Sequence, residues 1–138
     1  MSVSLSVTLH TSFDDAVERT RAALARQGFG VLTEIDMRAT LKAKLGEDIE
    51  DYLILGACNP SFAQKAVNIY RPIGVLLPCN VVVRKDPDAP DSVIVDAMDP
   101  KLMVDVTNEP RLDEIADGVR GLLNEALQEV SGGSSPGA

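Results

Sequence analysis

The amino-acid sequence predicts an α+β sandwich of order β-α-β4-α. A mostly antiparallel sheet carries two long helices on one face. Three observations predict it. Residues 2–10 alternate strictly between polar and apolar, the two-residue period of a half-buried strand. Residues 112–130 carry a wide apolar stripe at helical spacing, long enough for about five turns. Between a first helix and this last one lie four more strand-like runs, separated by Gly, Pro and Asp.

In the first strand Val3, Leu5, Val7 and Leu9 point one way, and Ser2, Ser4, Ser6, Thr8 and His10 the other. Ser12 then caps a helix, with Asp14 and Asp15 at the positive end of its dipole. Phe13, Ala16, Val17, Thr20 and Leu24 form its inner stripe, and Gly28 stops it. Gly30 to Met37 is a second strand, with Val31, Thr33, Ile35 and Met37 on one side. Arg38 to Leu45 is a short helix ended by Gly46, and residues 46–51 are an acidic connection.

Tyr52 to Cys58 is a third strand. Asn59 caps a short helix with Pro60 at its first position, running to about Asn68. Tyr70-Arg71-Pro72 is a turn, and Ile73 to Arg84 a long fourth strand. Residues 85–91 read as a hairpin loop and Ser92 to Met98 as the fifth strand, ended by Asp99-Pro100. Residues 101–107 fit no single pattern. In the last helix Gly118 and Gly121 interrupt the apolar stripe. Each costs about 1 kcal/mol relative to alanine, so close approach to the sheet is expected there. Residues 1–130 are expected to form one domain, and 131–138, rich in Gly and Ser, a flexible tail.

Composition narrows the function. The 138 residues hold thirteen basic and twenty-one acidic side chains, a net charge of −8. Such a surface repels phosphate backbones, which argues against nucleic acid. One histidine and two cysteines exclude zinc fingers, HExxH proteases, di-histidine metal sites and disulfide scaffolds. No run approaches a membrane span, and the N-terminus lacks the pattern of a signal peptide. The expectation is a cytoplasmic protein with reduced thiols.

Several segments are specific. They are Phe13-Asp14-Asp15-Ala16, the stretch 38–46, Tyr52 to Pro60 with its Leu-Gly-Ala-Cys-Asn-Pro end, Ile73 to Val83 with Leu-Leu-Pro-Cys-Asn, and Met98-Asp99-Pro100. Together they resemble the family called domain of unknown function 302, over roughly residues 3–130. The resemblance implies a fold related to the TATA-binding-protein class, usually as a dimer in bacteria and archaea. It implies no established reaction or cofactor. Fold kinship to a DNA binder transfers no function.

Both cysteines fall in the most specific segments. Cys58 ends a strand just before a helix N-terminus, where thiolates are favoured; the plainer reading is a small residue at a tight turn. Cys79 shares the parity of Val81 and Val83, which reads as core. Asn59 reads as a helix cap. Asn80 sits inside an apolar strand, where a buried amide needs a ligand or a backbone partner. If the third and fourth strands pair antiparallel, Cys58 faces roughly residue 73. The two thiols then lie on the order of 20 Å apart, which disfavours a disulfide or a two-thiolate metal site; a 60–68 helix acting as a parallel crossover would instead make them neighbours.

Asp96 is either an exposed strand residue or a general base, and Asp99 ends its strand. Arg38, Lys42, Lys44 and Lys65 either gather to bind an anion or form solvated helix faces. His10 reads as exposed.

The reading that follows is a dimeric small-ligand-binding or regulatory module. Its cleft, between the sheet and the short helices, is lined by Cys58, Asn59, Cys79, Asn80 and Met98. A thiol-dependent enzyme or sensor using Cys58 is the alternative. A structural domain with no ligand is a third.

Overall fold

The computed structural model describes residues 2–132. Most of the expected tail, residues 133–138, lies outside them. Five antiparallel strands form one sheet in the order β1-β5-β4-β3-β2. They are β1 (Ser4–Leu9), β2 (Gly30–Asp36), β3 (Tyr52–Cys58), β4 (Cys79–Asp86) and β5 (Ala89–Met98). The helices are α1 (Phe13–Arg26), α2 (Met37–Leu45), α3 (Pro60–Ile69), α4 (Lys101–Thr107) and α5 (Asp113–Val130). This is the expected α+β fold.

The core lies between the sheet and the α1–α5 layer. Leu55, Val81, Val83, Val93 and Val95 from the strands are fully buried, as are Leu123 and Val130 of α5. Each such aliphatic side chain contributes about 1.5–3 kcal/mol by leaving water. The helix layer is fastened at its polar edges. Ser12 Oγ accepts from the Asp15 N–H at 3.1 Å, capping α1 as its sequence predicts. Thr20, buried in the middle of α1, donates to Ala16 O at 2.7 Å, so its hydroxyl is not stranded. Arg19 donates to Val130 O, and Arg26 pairs with Glu129, tying α1 to the end of α5.

Four expectations are corrected. Residues Arg71–Leu76 form a 3-10 turn, and β4 begins only at Cys79. Pro72 suits the start of such a turn, and Pro78 has no N–H for a ladder, so the apolar run from 73 to 77 cannot be a central strand. The hairpin loop shrinks to Pro87-Asp88, because β5 starts at Ala89. In β2 a bulge between Val31 and Thr33 breaks the register, so the expected one-sided stripe does not hold. Val31 packs on the core while Ile35 is 45% exposed. Gly118 does not bring α5 close to the sheet. A Cβ there would lie 2.8 Å from the Phe62 ring of α3, and nothing lies within 4 Å of one at Gly121.

The other face of the sheet carries no helix of the α1–α5 layer. Tyr52, Ile54, Val82, Ile94 and Met98 alternate with the buried positions and are each half-buried. Arg84 and Asp96 are paired there at 2.9 Å. Strand β1 forms one edge of the sheet, and none of its six residues is ionisable.

Gly56 sits in β3 opposite Thr33 and Asn80. A side chain at this position would collide with Thr33 Oγ1 and stand 2.9 Å from Pro78 Cγ. Gly56→Ala is therefore expected to cost ~1–3 kcal/mol of stability by overpacking. Urea denaturation reads this directly. An unchanged midpoint would mean that Thr33 and Pro78 yield freely.

Candidate functional site

The site follows from where β4 begins. With residues 73–77 outside the strand, Ala57 pairs with Cys79, and Cys58 is the next residue along β3. The two cysteines are neighbours across adjacent strands. The expected separation on the order of 20 Å was set by a strand start at residue 73, and it does not apply. The antiparallel pairing itself is as expected.

Cys58, Asn59 and Cys79 converge on one chamber at this end of the sheet. Its walls are almost wholly apolar and include Phe29, Phe62, Met103 and Ile115. The chamber measures about 20 Å³, close to the space one water needs. Cys79 is 6% exposed, and Cys58 is half-buried. Asn59 holds the first position before α3, but its side chain does not cap that helix. Its amide instead donates to Gln27 O at 3.4 Å, linking the start of α3 to the turn after α1. That turn is made by Gly28 at φ +84, a left-handed conformation that disfavours a side chain.

Asn80 and Met98 do not join this chamber. They lie on the face away from α1 and α5, in a separate groove of about 290 Å³ with Tyr52, Val82, Asp96 and Leu102 of α4. Asn80 is exposed, not buried, because its place next to Cys79 turns it to the opposite face. Among the described residues its amide makes no side-chain hydrogen bond. Asp96 is fully engaged: Ser6 Oγ donates to one oxygen and Arg84 Nε to the other. That hydrogen bond raises the Arg84 guanidinium further above its ordinary range. A carboxylate so occupied is an ion-pair partner, not a free base.

The remaining candidates are dispersed. Arg38 pairs with Asp51 at 2.7 Å and Lys42 with Asp48 at 3.2 Å, while Lys65 stands over the Phe62 ring on α3. These cations do not form one anion site. Exposed His10 lies 3.4 Å from Ser92 Oγ, and Asp99 accepts from Arg120 at 3.2 Å. Among the described residues no group of three His, Cys, Asp or Glu is placed to hold a metal ion. No helix of the described residues is long and apolar enough to cross a membrane.

Sequence reasoning missed Phe29, Phe62 and Met103. Phe62 and Ala66 fall one turn apart on α3, a spacing that marks an inner face. Met103 lies in the stretch 101–107 that fits no single pattern in the sequence.

Burial lifts the Cys79 thiol from its ordinary 9.0 to about 11, and the negative charge that Cys58 can carry adds to the rise. At neutral pH Cys79 is almost wholly protonated and so a slow nucleophile. The folded state holds this proton more tightly than the unfolded chain. The corresponding stability is complete below about 9 and declines as pH climbs to about 11, a loss of ~2–3 kcal/mol. The difference in stability between the native protein and Cys79→Val, followed by denaturation from pH 8 to 11, is expected to shift by that amount against the native protein. A pH-independent difference would show that Cys79 is not desolvated.

No curated protein matches the chain. Among solved structures it is similar to an uncharacterised conserved protein, DUF302, from Bacillus stearothermophilus. The TM-score is 0.86 at 28% identity, covering 94% of this chain and 99% of that one. The family model described as domain of unknown function DUF302 matches residues 5–130, and the chain belongs to that family.

Proposed function

We propose that the protein is a cytoplasmic small-ligand-binding or regulatory module that works as a homodimer. The convergence of Cys58, Asn59 and Cys79 on one apolar chamber carries the ligand-binding reading. These three residues come from the two most specific sequence segments and meet only through the fold. Apolar walls with a few polar groups at one end suit an apolar ligand fixed by a small number of contacts. The resting chamber has room for about one water, so a ligand must enlarge it.

The dimer reading rests on the sheet face away from α1 and α5. A row of half-buried apolar side chains, Tyr52, Ile54, Val82, Ile94 and Met98, runs across three strands. A second copy would remove this row from water. Asn80 and Met98 then belong to the interface and not to the ligand chamber.

A second reading has one observation in its favour. The adjacency of Cys58 and Cys79 suits a thiol sensor using Cys58. The raised Cys79 thiol weighs against it, because the partner is a poor thiolate near neutrality.

Two experiments test these statements. In sedimentation equilibrium the native protein is expected at twice the chain mass, and Val82→Arg at one chain mass. A native protein that sediments as a single chain removes the dimer. In a thermal-shift screen of metabolites, a true chamber ligand raises Tm in the native protein and fails to do so in Cys79→Met, whose longer side chain fills the space. A ligand that stabilises both equally binds elsewhere.

A further inference from the structure

A groove of about 630 Å³ runs between α3 and α5 on the outer side of the chamber. That is within the range of small-molecule sites, roughly 300–1,000 Å³. Phe62 and Ile115 line both spaces. Phe62 is half-buried, and its ring packs where α5 has only Gly118; a Cβ there would lie 2.8 Å from two ring carbons. The ring is thus a partition between an outer groove and an inner chamber, seated against a backbone that has no side chain.

The groove's rim supplies mainly hydrogen-bond donors. Lys65 Nζ stands 5.6 Å from the centre of the Phe62 ring and makes no ion pair among the described residues. Arg111 is held from below by Glu109, through bonds of 3.1 and 2.7 Å, and by Ile69 O at 3.4 Å. Its Nη1 has no partner among the described residues. Asn68 adds an amide. Glu114 is the one acidic side chain on the lining.

We propose that groove and chamber are a single site for a small amphipathic carboxylate, with Phe62 as its movable partition. The carboxylate rests at the rim on Lys65 and Arg111, and the apolar end passes the ring to lie beside Cys79. Apolar walls inside and donors outside match such a molecule from end to end. This rests on the chamber reading above and adds the entrance, the gate and the ligand class. It also accounts for a chamber too small to hold a ligand at rest.

Octanoate and octanol are suitable probes, since they differ in the charged end alone. Calorimetric titration of the native protein is expected to show octanoate binding about tenfold or more tighter than octanol. Lys65→Gln should remove most of that preference. N-ethylmaleimide labelling of Cys79, read separately from Cys58 by peptide mass mapping, should slow when octanoate is bound. The same labelling should quicken about tenfold or more in Phe62→Ala. Phe62→Leu, which keeps more of the packing, should lie between; it guards against a misfolded alanine variant. Failure of octanoate to bind, or equal affinity for octanol, overturns the proposal. Lys65-dependent binding that leaves Cys79 labelling unchanged overturns the gate and, with it, the chamber reading. Cys79 protection that is indifferent to Lys65 overturns the carboxylate and leaves the chamber reading standing.

Discussion

One backbone register holds the site together: Ala57 of β3 against Cys79 of β4. Between these residues the chain makes α3 and a 3-10 turn, then re-enters the sheet directly beside the point where it left. Pro78 contributes no N–H to the ladder, and β4 begins just after it, at Cys79. Shifting the pairing by one residue would turn Val81 and Val83 out of the core and Asn80 into it. The penalty for that exchange fixes the register. It also brings the two cysteines, the base of α3 and the Phe62 ring to one corner of the molecule.

Much of the architecture was legible in the sequence because its signals are local. The alternation of β1, the Ser12 cap and the stripe of α5 each need only a few neighbouring residues to be recognised. The long apolar run from Ile73 to Val83 misled for a definite reason. Burial of a run does not specify its backbone, and Ile73 is wholly buried in a 3-10 turn just as it would be in a strand. That single error in strand start displaced the residue facing Cys58 by about five positions, from 78 to 73. It also made Asn80 look like a buried amide. The bulge in β2 was invisible for a similar reason: it depends on which residue of β3 lies opposite, and Gly56 gives no sign of its crowding in sequence alone.

The five residues grouped by sequence divide between the two faces of the sheet. Cys58, Asn59 and Cys79 line the chamber on the α1–α5 side, and Asn80 and Met98 the groove on the other. Within β4 successive residues turn to opposite faces of the sheet, which puts Cys79 in the chamber and Asn80 in the groove on the other side. The repeated Cys-Asn pair is therefore one chemical phrase used for two different surroundings. In the first copy Asn59 ties α3 to the turn after α1. In the second, Asn80 offers its amide outward.

Strand β1 bears on how the protein behaves in a concentrated solution. It is an open edge of six residues, in unbroken register with β5 and without a single ionisable side chain. Edge strands in most folds carry lysine, proline or a bulge to discourage further pairing, and β1 has none of these. The opposite edge, β2, has both a bulge and two acidic residues. Joining of copies along β1 is opposed by the long-range repulsion that a net charge of −8 per chain brings. That opposition belongs to the whole electrostatic field, which salt attenuates over about 10 Å at 0.1 M.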